Sequence, residues 1–196
     1  MSPILGSFAG LAARAYGLTA GIQALPGNYY SIQTYKVSSP VPTITFNSIP
    51  QQYRSLIIRG TWQNTTSGNG YGAMTFNGVT TGNQYSGHVM FGNGSSAGSN
   101  TADGQSANLF FIGSSAQTVG NMTGGIFEIA DYANTSKNKT ARGIYGYDTN
   151  GGTYTQELGL FSGLWMNNSA INSITLSLTQ GTNFGGSSTF SLYGVL

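Results

Sequence analysis

A chain of 196 residues has room for one domain with a real core, or a domain and an arm. Only 6% of it is charged, its net charge is +2 and it has no cysteine, which excludes disulfides, thiolate chemistry and Cys-based zinc sites. Apart from a brief "KNKTAR" at 137–142 it also lacks the clustered bases that nucleic acid requires.

The first stretch, "MSPILGSFAGLAARAYGLTAG", is rich in Ala, Leu and Gly and carries one charge. Arg14 follows the apolar part instead of preceding it, against the order of a secretory signal, and the interior Arg and glycines argue against a membrane span. Leu5, Phe8, Ala12 and Ala15 recur at helical spacing, so residues 1–27 are read as an arm containing a short helix. Leu5, Phe8, Leu11 and Tyr16 would dock such an arm on a neighbouring subunit, since they would otherwise face water.

From Tyr30 the apolar period changes to two. "YSIQTYKV" alternates Ile32, Thr34 and Lys36 with Gln33, Tyr35 and Val37, and "TITFNSI" turns Ile44 and Phe46 inward. Further strands are predicted in "YRSLIIRGTW", "YGAMTFNG", "SGHVMFGN", "NLFFIGS", "GGIFEIADY", "ARGIYGYD", "LGLFSGLWM", "INSITLSLTQ" and "STFSLYGVL". The intervening "TTSGNG", "GNGSSAGSNTADGQS", "ANTSKNK" and "TNGGTYTQ" carry turn and loop chemistry. The expectation over residues 28–196 is an all-β, jelly-roll-like antiparallel β-sandwich.

Within "YRSLIIRGTW", Arg54, Leu56, Ile58, Gly60 and Trp62 share one face, and Ser55, Ile57, Arg59 and Thr61 the other. The two arginines lie about 17 Å apart at 3.3 Å per residue, so they cannot clamp one anion. Arg59 in mid-strand is expected to be partly buried and ion-paired with Glu128 or Asp131. Arg54, near the rim, is a candidate interface residue.

Enzymatic patterns are wanting. His88 is the lone histidine and has no acid or nucleophile in its local sequence, which favours a structural role. Glu128 and Asp131, three apart in a strand, point to opposite faces and do not make the acid pair of a glycoside hydrolase. "YDTNGG" lacks the acidic positions of a calcium loop, and no G-x-S-x-G elbow occurs. No catalytic residue, metal or cofactor is predicted. Tyr85, Tyr147, Tyr154 and Trp165, with Tyr71 and Tyr145, offer either a ring-stacking platform for glycans or the filling of core and subunit interfaces.

Four stretches occur in order: "FNSIPQQYRSLIIRG", "FNGVTTGNQYSGHVMFGNG", "DYANTSKNKTARGIYGYDTNG" and "SGLWMNNSAINSITLSLTQGTNFGGSSTFSLYGVL". From about residue 28 onward the chain resembles a family of small virion structural proteins of tailed phages, especially those of aquatic bacteria. Its ending is similar to that family's Phe-x-Leu-Tyr-Gly close at Phe190, Leu192, Tyr193 and Gly194. The resemblance implies a jelly-roll-like protein on the virion exterior, assembled in the host bacterial cytoplasm and without enzymatic activity. The expected role is capsid decoration or cementing as a homo-oligomer, expected to be a trimer. Its expected partners are itself, the major capsid protein or other virion proteins, and neither nucleic acid nor membrane. The alternative is a tail-associated fibre or receptor-binding domain that recognises host surface glycans.

Overall fold

The computed structural model describes residues 28–65, 71–102, 110–114, 121–148, 156–178 and 183–196. The arm residues Leu5, Phe8, Leu11 and Tyr16, and Tyr154, lie outside them. The described residues contain strands and no helix: β1 (Tyr29–Lys36), β2 (Thr43–Phe46), β3 (Ser55–Trp62), β4 (Tyr71–Phe76), β5 (Tyr85–Gly92), β6 (Ala97–Ala102), β7 (Phe110–Ser114), β8 (Thr123–Ala130), β9 (Lys139–Asp148), β10 (Gln156–Trp165), β11 (Ile174–Leu178) and β12 (Thr189–Val195). They form an eight-stranded sheet in the order β1-β12-β3-β8-β9-β10-β5-β6 and a four-stranded sheet in the order β2-β11-β4-β7. Every pairing is antiparallel. The fold is an all-β, jelly-roll-like sandwich.

Two-residue periodicity builds the layers. Ile44, Phe46, Met74, Phe76, Ile174 and Leu176 project from the small sheet, and Leu56, Ile58, Trp62, Phe127, Ile129 and Phe161 from the large one, into one core. Rings run through it: Trp62 stacks on Phe190 at 5.6 Å, Phe127 meets Phe161 at 5.7 Å, and Phe76 stands edge-on to Trp165 at 5.3 Å. Such pairs contribute about 0.5–1.5 kcal/mol each beyond the burial of their surface.

Glycine makes room for these rings. A Cβ on Gly143 would lie 2.6 Å from the Phe161 ring, 2.7 Å from that of Phe127 and 2.5 Å from the Ile126 carbonyl oxygen. One on Gly159 would enter the Tyr145 ring, which is its cross-strand partner. The abundance of both glycine and aromatics follows: a ring from one strand lies flat over a bare backbone on the next.

Two elements depart from the sequence reading. The stretch read as the loop "GNGSSAGSNTADGQS" contains edge strand β6, which pairs with β5 from Gly87↔Ala102 to Gly92↔Ala97. In β1 the alternation breaks at a bulge between Ser31 and Gln33, so Ile32 packs against the core while Tyr35 meets Phe46 edge-on.

Candidate interaction surface

The outer face of the large sheet carries an unusual row. Cross-strand register aligns Arg59 with Ile126, Ile126 with Ile144, Ile144 with Leu160, Leu160 with Met90, and Met90 with Ser99. The inward neighbours of this row, Phe127, Tyr145 and Phe161, are buried, yet Ile126, Ile144, Leu160 and Met90 are 46%, 44%, 58% and 66% exposed. Leu158, 60% exposed, stands one row away between Gly146 and Gly92. The five side chains expose on the order of 500 Å² of apolar surface, in the range where a monomer's largest patch is often functional.

Polar groups frame the patch without charging it. On the neighbouring row Arg142 donates from Nε and Nη2 to Glu128 Oε2 at 3.0 and 2.9 Å, so the pair is neutral as a unit. Ser162 and His88 continue that row on β10 and β5. Arg59 closes the apolar row on β3, its guanidinium 5.8 Å from the ring centres of both Tyr29 and Tyr193.

The predicted ion pair of Arg59 with Glu128 or Asp131 is therefore corrected. Arg59 is exposed and lies between two tyrosines, Glu128 is held by Arg142, and Asp131 bonds Lys137 at 2.7 Å. Register explains it: Glu128 sits opposite Ile57, and its other cross-strand neighbour on β9 is Arg142. Arg54 is exposed beside the start of β3, where its backbone bridges Val195 and Asp131. The inward set of Leu56, Ile58 and Trp62 is buried, as alternation predicts.

The glycan platform is corrected as well, for the residues that are described. Tyr85 and Trp165 are fully buried and stacked on each other at 6.2 Å, and Tyr147 is 8% exposed. A ring buried among core side chains has no face to offer a sugar. The Tyr85 hydroxyl donates to the Val79 carbonyl oxygen at 3.1 Å and accepts the Phe76 amide at 2.9 Å. Burial pushes its pKa up to about 12, against a lowering by the Phe76 bond. Tyr147 is also pushed up to about 12, first by burial and then by the charges of Glu157 and Tyr71.

A shallow depression at the end of β9 and β10 is lined by Asn93, Gly94, Tyr147, Asp148, Gln156 and Glu157. Its two carboxylates do not converge on one point. Asp148 is on the exposed face, whereas Glu157 turns inward to accept a 2.7 Å bond from the Tyr145 hydroxyl. Among the described residues no group of three His, Asp or Glu side chains is placed to hold a metal, and no helix is long and apolar enough to cross a membrane.

Sequence reading missed the apolar row, although a signal was present. "GIFE", "GIYG", "GLFS" and "HVMF" each set an apolar residue on both faces of a strand, the mark of a strand covered on two sides. No family model, curated protein or solved structure matches the chain.

Proposed function

We propose that the chain is a non-enzymatic structural protein of a phage virion, which decorates or cements the capsid surface as a homo-oligomer. The observation that carries this reading is the exposed apolar row Ile126–Ile144–Leu160–Met90 on a sheet face of few charges. A face of that kind is an adhesive surface. The resemblance of residues 28–196 to small virion proteins supplies the particle, and the scarcity of charge suits a subunit that works in an assembly. Bound to neighbouring capsomers, the protein would stabilise the shell by mass action, because it binds the assembled form and not the dissociated one.

Immunogold labelling of intact virions tests the reading. Label distributed over the whole head is expected. Label confined to the tail, or absent from purified particles, overturns capsid decoration.

A further inference from the structure

We infer that the outer face of the large sheet is self-complementary and pairs with a second copy of this chain, sheet against sheet, about a twofold axis. The inference rests on reading that face as an interaction surface and goes on to name its occupant.

The axis follows from register. A twofold lying between β9 and β10, parallel to the strands, brings each row of one face over the same row of the other. It sets Ile144 against Leu160 of the partner subunit, and Ile126 against the partner's Met90. Apolar then meets apolar along the whole row. The same operation puts Leu158, the protruding side chain of the next row, over the partner's Gly146. Leu158 is 60% exposed, and Gly146 is a bare backbone position on the outer face.

Charge agrees with the same axis. Arg59 falls opposite the partner's Ser99 and not another Arg59, and Glu128 falls opposite the partner's His88. The alternative twofold, along the row, would set Arg59 on Arg59 and Leu158 over Ser162. A partner of strong charge is disfavoured, since Arg142 and Glu128 neutralise each other and four apolar side chains separate Arg59 from the far end of the row.

Area is sufficient. Six strands from β3 to β6 at about 4.8 Å, by roughly eight residues at 3.3 Å, give a face of about 750 Å². Stable complexes bury about 800 Å² on each partner. Two sheets stacked this way would pack about 10 Å apart, crossed by about 30° because each is twisted.

Sedimentation equilibrium of the full chain, free of any particle, tests the pairing. The wild type is expected to be a dimer, in place of the trimer expected from the sequence. Leu160→Lys should weaken association at least tenfold by placing a charge in the row, and Leu158→Lys should do the same from the neighbouring row. Leu158 and Leu160 are both exposed, and retention of the strand circular-dichroism signal checks that each variant folds. A wild type that stays monomeric at its highest soluble concentration overturns the inference. So does a monomer whose outer face binds an apolar dye only after residues 1–27 are deleted, which would make the arm the occupant. An oligomer that either substitution leaves intact overturns it equally. Because no capsid is present, a dimer lost on substitution sustains this pairing even if virions carry no label. A monomer on labelled heads would sink the pairing and leave the decoration role standing.

Discussion

Lys139 occupies a core-facing position at the start of β9, opposite Trp165, and is fully buried. Its ammonium has one described acceptor, the Lys137 carbonyl oxygen at 2.8 Å, while Asp131 spends its carboxylate on Lys137. Burial lowers the lysine pKa, and the more distant charge of Asp131 opposes that only in part. A charge kept out of water on one hydrogen bond costs stability, whereas its four-carbon stem packs as a hydrophobe would. Lys139→Met keeps the stem and removes the charge, so it is expected to be neutral to stabilising, by up to about 1 kcal/mol, or a rise in Tm of roughly 2–4 °C. The sign with pH is fixed by linkage. Because the folded pKa lies below the unfolded one, wild-type stability gains as pH rises through that window, and the gap to the variant should narrow toward pH ~10. A gap that widens with pH in paired calorimetric scans would show that the ammonium is not the cost.

Strands in this sheet are held at close quarters by glycine under rings, and that can be tested at one position with another as control. A Cβ on Gly143 would press on the Ile126 carbonyl as well as on two phenyl rings, and a backbone oxygen cannot rotate away. Gly143→Ala is expected to cost about 2–3 kcal/mol by overpacking. Gly124, in the adjoining strand β8 and with nothing within 4 Å of its would-be Cβ, should accept alanine within about 0.5 kcal/mol. Equal losses in urea melts of the two variants would refute the ring-over-glycine account. The same elements show what could be read in advance. "ITLSL" alternates cleanly and "SLIIRGTW" does so from Leu56 onward in its burial, so the inward residues Leu56, Ile58, Ile174 and Leu176 are buried as their period requires. "AGSNTA" has no apolar residue beyond alanine, so β6 exists only because β5 offers it an edge. Arg59 was placed on the correct face but given the wrong partner, because alternation sets a face whereas register sets a neighbour. The apolar row was hidden for the same reason. Ile126, Ile144, Leu160 and Met90 are unremarkable within their own strands and become a surface only when four strands align.

At the scale of the whole molecule, few groups besides the twelve tyrosines can make stability depend on pH: seven Lys and Arg, five Asp and Glu and one His. On the acid side Asp131 is held below the usual aspartate range, chiefly by its bond from Lys137, with burial opposing. Its contribution is present above the ordinary aspartate pKa and lost as pH falls through the lowered one, but the group is exposed, so the acid limb should be shallow. The alkaline side differs, because core tyrosines carry it. Tyr85 and Tyr147 are pushed up to about 12 by burial, and Tyr132 is raised by the same cause. A folded pKa above the unfolded one means that the folded state keeps a proton the unfolded state has released. Stability is therefore intact below pH ~10 and falls as pH climbs from there toward 12. Lys139 works in the opposite sense, but as one group against three its rise is outweighed. Urea midpoints taken across pH are expected to be nearly level from about 5 to 9.5 and to drop steeply above 10, as the last tyrosinate absorbance, that of the buried rings, appears together with loss of structure. Tyr147→Phe should flatten that drop, since it removes one of the raised phenols without removing a hydrogen bond that pins the backbone, as the Phe76 bond of Tyr85 does. Ionisation of all twelve tyrosines near pH 10 with the fold intact would mean that the buried rings titrate freely, and a core sealed by aromatic packing does not permit that.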